Sequence, residues 1–346
     1  MAKEIAVLYI GSMAAWCNSF RRYNALSAIY PQAVVINTDP YILPKYMSGF
    51  QHHLNMGPGI FLLNKKIRKA TTDKKYDVVL VDNKTYLSVT TLQFIKQQCP
   101  ATKIVNLLTD DPFGKFSSSW GLQRKTAKYY DIIFVQRQVN IAEFKNVGAK
   151  RVEVCYRSFD PEFNRPILLE PEDEKRYGTS IGFVGTYEDI RATYIAYLIE
   201  QGIPVSVIGN DWPNGACWDI IKPYYRGPSV FEGEYVKSVN GMKIALHFLR
   251  HANRDEQDSR TFEIPSCKVF MLAERSALHL QLFKENEEAV FFTSKEELLE
   301  KVQMYMGDKA AREQIALNGY KRCFSDGYDH QSRMKSVMET VMSIVN

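Results

Sequence analysis

The sequence predicts an α/β protein of two domains, each built on an open parallel sheet, and three observations predict it. Short, near-continuous apolar runs recur along the chain, of the kind found in strands buried on both faces. Helical patterns lie between them, which makes parallel sheets with right-handed crossovers the economical arrangement. The same alternation restarts after a polar, proline-punctuated stretch. At 346 residues the chain is too long for one ordinary core, so two domains are expected.

The elements follow in order. IAVLYI (Ile5 to Ile10), apolar and rich in β-branched residues, is the first strand; a Gly11-Ser12 turn, a helical pattern through RRYNALSAIY and the strand VVINTD come next. KKYDVVLVDN (Lys74 to Asn83), TKIVNLLTDDP (Thr102 to Pro112) and YYDIIFVQR (Tyr129 to Arg137) supply three more strands, and GAKRVEVCYRSFDPEF ends a first domain set at residues 1–164. RPILLEPEDEKRYG (165–178) reads as an interdomain linker. A second domain, 179–325, opens with TSIGFVGTYEDIRATYIAYLIEQG as strand, glycine turn and helix, and continues through the strands IPVSVIGND, MKIALHFLR and VFMLAE. AVFFTSKEELLEKVQMYM gives the last strand and a helix whose start carries the Ser294/Glu297 capping-box pattern. The remainder is two helices broken near Asp326-Gly327. Two such sheets have their natural ligand site in a crevice at the carboxyl ends of the strands, between the halves.

Composition narrows the function. Apolar residues make up 45% of the chain and charged residues 24%, the balance of a soluble globular protein. IAVLYI is too short for a signal peptide or a membrane span and no other run approaches 18 apolar residues, so no span is expected and the location is read as cytoplasmic. The six cysteines are scattered with no C-x-x-C pair and no histidine at ligand spacing; they are expected to be reduced, with no metal site. Residues 1–160 hold 22 Lys+Arg and 11 Asp+Glu, a balance of +11, whereas residues 161–346 hold 22 and 28, a balance of −6. A split of that size suggests that one domain faces a polyanion.

Several residues could carry chemistry. Gly185 and Thr186 follow the strand SIGFV and are read as opening a helix that holds Arg191; amides at a helix start with an arginine one turn in suit a diphosphate, although an ordinary strand-to-helix turn has the same pattern. Gly209 would let another backbone approach closely, and Asp211-Trp212 come directly after it, with Trp212 more simply a cap on the sheet than a stacking platform. In DEQDSRTFE, Asp255 stands eight residues before Glu263, with Ser259, Arg260 and Thr261 near the start of a short helix. Carboxylates accept pairs of bonds from vicinal ribose or sugar hydroxyls, and an arginine at a helix start takes phosphates; the plainer alternative pairs Glu263 with Arg260 or Arg275 on a solvated face. In TDDPFG, Asp110 and Asp111 could act as general base and orienter, if burial and mutual repulsion raise one pKa toward neutrality, or one of them could cap the turn. The run NKKIRKATTDKK, with Lys65 and Lys66, together with Arg21 and Arg22, is the candidate surface for an anionic acceptor, against the commoner reading of a solvated face.

RTFEIPSCKVFMLAE, followed by LFKENEEAVFFTSKEELLEKVQMYM and AREQIALNGYKR, resembles the carboxyl domain of nucleotide-sugar-dependent glycosyltransferases of GT-B architecture, particularly the CgeB-like group. The similarity extends upstream through GFVGTYEDIR, VIGND and the TDDPFG turn and so covers most of the chain. The resemblance implies two Rossmann-like domains facing a central cleft, a nucleotide sugar held mainly by the carboxyl half, an acceptor held mainly by the amino half and a C-terminal helix, 326–346, crossing back to the first domain. Related retaining enzymes use a Glu-x7-Glu pair, whose second member contacts the ribose and whose first lies near the donor sugar. Glu263 matches the second. Two departures stand out: the first position falls on Asp255, a shorter carboxylate, and Lys268 occupies a place where glycine is common.

The expected function is therefore transfer of a sugar from a nucleotide diphosphate sugar, UDP-linked by preference, with no cofactor and no metal. Arg191, Arg260 and helix-start amides would stabilise the departing diphosphate. The charge split puts a polyanionic acceptor first, and a hydroxymethylated DNA base, flipped from its stack, leads that group. A cell-surface polysaccharide, a lipid or a small metabolite are alternatives, as are a nucleotide-sugar epimerase and a non-catalytic assembly protein on the same fold.

Overall fold

A computed structural model describes residues 5–43, 51, 54–115 and 117–345; the outermost positions of the expected first domain and last helix, 1–4 and 346, lie outside them. The chain divides into two compact units: Met1–Arg157 with Arg250–Asp255 and His330–Asn346, and Ser158–Leu249 with Glu256–Asp329.

The first unit carries a six-stranded parallel sheet in the order β2-β1-β3-β4-β5-β6. Its strands are β1 (Val7–Gly11), β2 (Val34–Asn37), β3 (Val78–Asp82), β4 (Lys103–Leu107), β5 (Ile132–Val135) and β6 (Val152–Val154). Continuous apolar runs form these strands because helices cover both faces. Val7 and Tyr9 pack in one core with Met334, Val337 and Val341 of the helix His330–Met342, while Leu8 and Ile10 pack in another with Leu63 and Ile67 of the helix Pro58–Asp73. Alternate side chains of one strand thus serve opposite layers.

The second unit repeats the plan in the order β12-β11-β10-β7-β8-β9, again all parallel. The strands are β7 (Thr179–Val184), β8 (Ser206–Ile208), β9 (Tyr225–Gly227), β10 (Met242–His247), β11 (Phe270–Glu274) and β12 (Val290–Phe292). Ser294 caps the helix Lys295–Gly307 by accepting the Glu297 amide (3.2 Å), and Glu297 reaches back to the Thr293 amide (2.8 Å). The two-domain parallel α/β fold, of GT-B type, is the fold observed.

Differences from the sequence reading are local. The first unit ends at Arg157, and the stretch read as a linker contains the helix Pro171–Tyr177, which belongs to the second unit. Residues 250–255 group with the first unit although their neighbours on both sides belong to the second. Among the described residues no helix is long and apolar enough to cross a membrane, and no two cysteines are bonded.

Candidate functional site

Each sheet reverses its strand order once, at the β1/β3 neighbours in the first unit and the β7/β10 neighbours in the second. In open α/β sheets the loops leaving such a pair diverge, and ligands bind outside the carboxyl ends there. Most of the residues singled out in the second unit gather at its reversal point.

Arg191, on the helix Asp189–Glu200, is only 7% exposed. It donates to the Thr186 carbonyl (2.9 Å) and to the Phe248 and Leu249 carbonyls (3.4 Å each), and stands 5.7 Å from the Phe183 ring centre. The expected diphosphate contact is thus a strut that ties the loop after β7 to the loop after β10. Gly185 is also corrected: its amide donates to the Ile208 carbonyl (2.8 Å) and its carbonyl accepts Trp212 Nε1–H (2.8 Å), so neither group is offered to a ligand. The helix begins only at Asp189, which leaves Thr186 as an exposed loop residue. Gly209 does allow a close backbone approach, since a Cβ there would lie 1.9 Å from the Gly185 oxygen. Trp212 is buried in the core, and Asp211 is exposed beside it.

The helix Arg260–Ser266 presents the strongest candidates. Arg260 Nε donates to the Val184 carbonyl at the end of β7 (2.7 Å), and Nη1 lies 3.8 Å from Asp258. The Asp258 carboxylate accepts the Arg260 amide (2.7 Å), capping the first turn, while Ser259, half-buried at the N-cap position, makes no side-chain cap bond. Glu263, half-buried, accepts the Tyr235 hydroxyl (2.6 Å). Burial and the Glu263 carboxylate push the Tyr235 phenol well above its ordinary pKa, so it remains a donor. Arg275 is engaged with Glu285 and Glu297 and plays no part here. Sequence reasoning missed Asp258 and Tyr235. The first carried a signal, a short acid two residues before a helix, whereas Tyr235 lies 28 residues from its partner and carried none.

Thr261 was expected among the donor contacts and is instead fully buried. Its hydroxyl stands 2.9 Å from Nε2 of both His247 and His279. His279 Nδ1 lies 2.8 Å from the Glu274 carbonyl, which can only accept, so Nδ1 holds the proton and Nε2 accepts from Thr261. Thr261 has one proton to give, so His247 Nε2 donates to it. Burial drives both imidazoles toward the neutral form, His279 down to about 3. This chain fixes the helix that carries Arg260 and Glu263, and Thr261 acts from below.

In the first unit, the TDDPFG turn follows β4. Asp111 is buried, accepts the Phe113 amide (2.9 Å) and the Asn140 amide group (2.9 Å), and receives Arg254 through two nitrogens (2.6 and 2.9 Å). Burial alone would raise its pKa, but these donors outweigh it and hold the carboxyl below its usual value. Asp111 is therefore a turn-capping group stabilised in its ionised form and not a base tuned toward neutrality. Asp110 faces elsewhere: it accepts Asn83 Nδ2 (3.0 Å) and stands 3.7 Å from Arg157. Asp255 is also corrected, because its carboxylate neutralises buried Arg137 inside the first unit, whereas Glu263 belongs to the second. Arg22, expected on a basic surface, is buried and bonds Asp82 through two nitrogens (2.8 Å each), with the Tyr9 hydroxyl on the same carboxylate. Arg21 is half-buried on the same helix, and Lys65 and Lys66 are exposed on Pro58–Asp73. No cluster of three or more His, Cys, Asp or Glu that could hold a metal occurs among the described residues.

Residues 191–339 match the family model described as glycosyl transferase-like. That stretch is glycosyltransferase-like in sequence. It includes Arg191, Arg260, Glu263 and Tyr235. No curated protein matches the chain in sequence. Among solved structures, HepE from Anabaena in complex with UDP and glucose is similar over 98% of this chain and 100% of its own, at TM-score 0.66 and 12% identity. Sucrose-phosphate synthase from Thermosynechococcus elongatus is similar over 98% and 99%, at 0.65 and 11%. A Listeria monocytogenes protein assigned as a UDP-N-acetylglucosamine 2-epimerase is similar over 99% and 96%, at 0.55 and 11%. At these identities the likeness establishes the fold.

Proposed function

We propose that this chain is a glycosyltransferase of the CgeB-like group that moves a sugar from a nucleotide diphosphate sugar, UDP-linked, to an acceptor hydroxyl. The observation that carries the reading is a coincidence. The glycosyl transferase-like match over 191–339 contains the helix start at the second sheet's reversal point, where Arg260 and Glu263 stand.

As the bond from the anomeric carbon to the diphosphate oxygen breaks, negative charge grows on the leaving group. Arg260 remains charged at every working pH, and its Nε is already fixed by the Val184 carbonyl, so its guanidinium meets that charge with little reorganisation. Glu263, oriented by Tyr235, accepts the ribose hydroxyls. Thr186, Asp211 and Ser259 are the neighbouring polar groups for the rest of the donor. The donor is a substrate, and neither cofactor nor metal enters the reading. HepE, solved with UDP and with UDP-glucose, supports the choice of nucleotide.

For the acceptor, the basic first half supports a polyanion, with a hydroxymethylated DNA base first. The support is narrower than the net charge suggests, because Arg22, Lys96, Arg137 and Arg157 face Asp82, Asp131, Asp255 and Asp110. Exposed Lys65 and Lys66 keep their charge available to phosphates. The likeness to the Listeria protein favours epimerisation of a nucleotide sugar as the second reading.

Calorimetry against uridine, guanosine and cytidine diphosphate sugars tests the donor site. The uridine series should bind, and Glu263→Ala should weaken it at least tenfold, about 1.4 kcal/mol. If no nucleotide sugar binds, or if the variant binds equally well, the assignment is wrong. UDP release that requires an added acceptor separates transfer from epimerisation.

A further inference from the structure

At the amino ends of β10 and β11, the opposite end of the second sheet from Arg260 and Glu263, lies an open cavity of about 920 Å3. Its walls come from the starts of both strands, from Pro166-Ile167 and from the first half of the helix Lys309–Ser325. The volume is at the upper end of small-molecule sites, roughly 300–1,000 Å3. Asn240 holds one wall in place: its Oδ1 accepts the Ile167 amide (3.0 Å), and its Nδ2 donates to the Arg165 and Val236 carbonyls (3.1 and 2.9 Å).

Four cations and one acid line this cavity: Lys243, Lys268, Lys309 and Arg312, with Glu313. The balance is the reverse of the surrounding sequence, since residues 161–346 hold 22 basic and 28 acidic side chains. Glu313 pairs with Lys309 (3.6 Å), and both are exposed. Arg312 is buried and donates to the Tyr305 and Met306 carbonyls, the latter at 3.0 Å, which anchors it to the end of the helix Lys295–Gly307. Among the described residues, the ammonium groups of Lys243 and Lys268 have neither an ion pair nor a hydrogen bond.

Both of these lysines stand where local structure disfavours them. Lys243 is the one exposed residue of β10, a strand flanked by β7 and β11 and otherwise buried, in which a continuous apolar run is the rule. Lys268 is left-handed (φ 57°), at a steric cost that glycine would avoid, and backbone strain of this kind gathers at ligand sites. Because β10 and β11 are hydrogen-bonded neighbours, the two lysines come to the same end of the sheet, and their mutual repulsion falls when an anion joins them. The rest of the lining is largely apolar, with Ile167, Met242, Val269 and Leu317. The Asn240 amide is already engaged, and Gln314 Nε2 donates to Asn318 Oδ1 (2.9 Å). A sugar or nucleoside would bring hydroxyls and ring nitrogens against side chains that do not answer them, whereas an alkyl chain has none to satisfy.

We propose that this cavity binds an amphiphilic phosphate, a phosphate monoester on an apolar chain. Lys243 and Lys268 hold the head, whose charge of roughly −1.5 to −2 at neutral pH matches theirs. The chain lies along Ile167, Met242, Val269 and Leu317. A single-chain alkyl phosphate in solution and phosphatidic acid in a bilayer share this chemistry. The site is separate from the donor site, and the proposal does not depend on the transferase reading.

Titration calorimetry on the full chain tests it with decyl phosphate, decyl maltoside and inorganic phosphate, the two amphiphiles kept below their micellar concentrations. Decyl phosphate should bind roughly tenfold more tightly, or better, than either of the others, since burying two methylenes is alone worth about that factor. Lys243→Gln and Lys268→Gly should each weaken it about threefold or more, as expected of an exposed charge pair. Glycine relieves the strain at position 268, so that loss cannot be put down to unfolding. Lys321→Gln, an exposed lysine on the helix Lys309–Ser325 but outside the cavity, should leave the affinity unchanged. Flotation with phosphatidylcholine vesicles, with and without phosphatidic acid, separates the two sources. Retention by the phosphatidic acid vesicles that falls in Lys268→Gly assigns the lipid, and decyl phosphate binding with no retention assigns the free amphiphile; both uphold the site. Decyl maltoside or inorganic phosphate binding as tightly as decyl phosphate, equal affinity in Lys268→Gly and wild type, or neither binding nor a retention that depends on Lys268 would each overturn the proposal.

Discussion

Replacing Lys268 with glycine should stabilise the second unit. The helix Arg260–Ser266 ends with the Lys268 amide on the Pro265 carbonyl (2.8 Å) and the Val269 amide on the Ile264 carbonyl (3.4 Å), the paired bonds of a Schellman ending. Ile264 and Val269 are both buried, supplying the apolar contact that accompanies this motif. The residue between them in such an ending is left-handed, and Lys268 has φ 57°. A side chain there costs roughly 1–2 kcal/mol. Glycine avoids that cost but loses more chain entropy on folding, roughly 0.5–1 kcal/mol. The Lys268 side chain is exposed, so little packing is lost, and the net gain should be about 1 kcal/mol. For a domain of roughly 150–250 residues that is about 2–4 °C in midpoint. Scanning calorimetry reads it directly, with Lys268→Ala as the control that removes the ammonium and keeps the strain. A lowered or unchanged midpoint in Lys268→Gly, or a gain equal to it in Lys268→Ala, refutes the reasoning.

Asp82→Ala should cost about 3–5 kcal/mol in denaturant unfolding, because it strands the buried Arg22 charge and the Tyr9 hydroxyl, while Arg22→Met with Asp82→Leu should cost much less. A double variant as unstable as the single one would show that the charge is not the issue.

The strands were legible because burial on both sheet faces forces continuous apolar runs, and the helix carrying Arg260 and Glu263 was legible because its motif is local. Short β6 and β9 escaped as strands: unlike the equally short β8 and β12, which are largely buried, most of their residues are partly exposed. The fate of the charges was not legible at all. Arg22 meets Asp82 from 60 residues away, Arg254 meets Asp111 from 143 and Arg137 meets Asp255 from 118, so a count of basic residues could not separate solvated cations from neutralised ones. The same long-range pairings explain why residues 250–255 belong with the first unit. Asp111 looked like half of a repelling pair because Asp110 adjoins it, and the tertiary arrival of Arg254 inverted the sign of its pKa shift.

The buried histidines bear on how the donor site works across pH. Asp258 and Glu274 favour protonation of His247, Arg191 and Arg260 oppose it, and burial decides for the neutral ring. His279 is held neutral by burial and by His247. A proton on His279 Nε2 would displace the Thr261 hydroxyl and break the support of the helix bearing Arg260 and Glu263. An unfolded histidine titrates near ~6.5, so the unfolded chain takes up protons first, and the stability of the second unit should fall as pH drops below that value. Between there and pH 8 the folded rings do not change charge, and Arg260 does not either. Nucleotide-sugar affinity should consequently be flat from pH 6.5 to 8, within about twofold. The histidine Cε1 proton shifts, assigned with His247→Asn and His279→Asn, should be flat over the same range. A ring that titrates there, or an affinity that follows it, would mean that the support beneath Arg260 is itself charged at neutral pH, and the direction of the two bonds at the Thr261 hydroxyl would have to be reassigned.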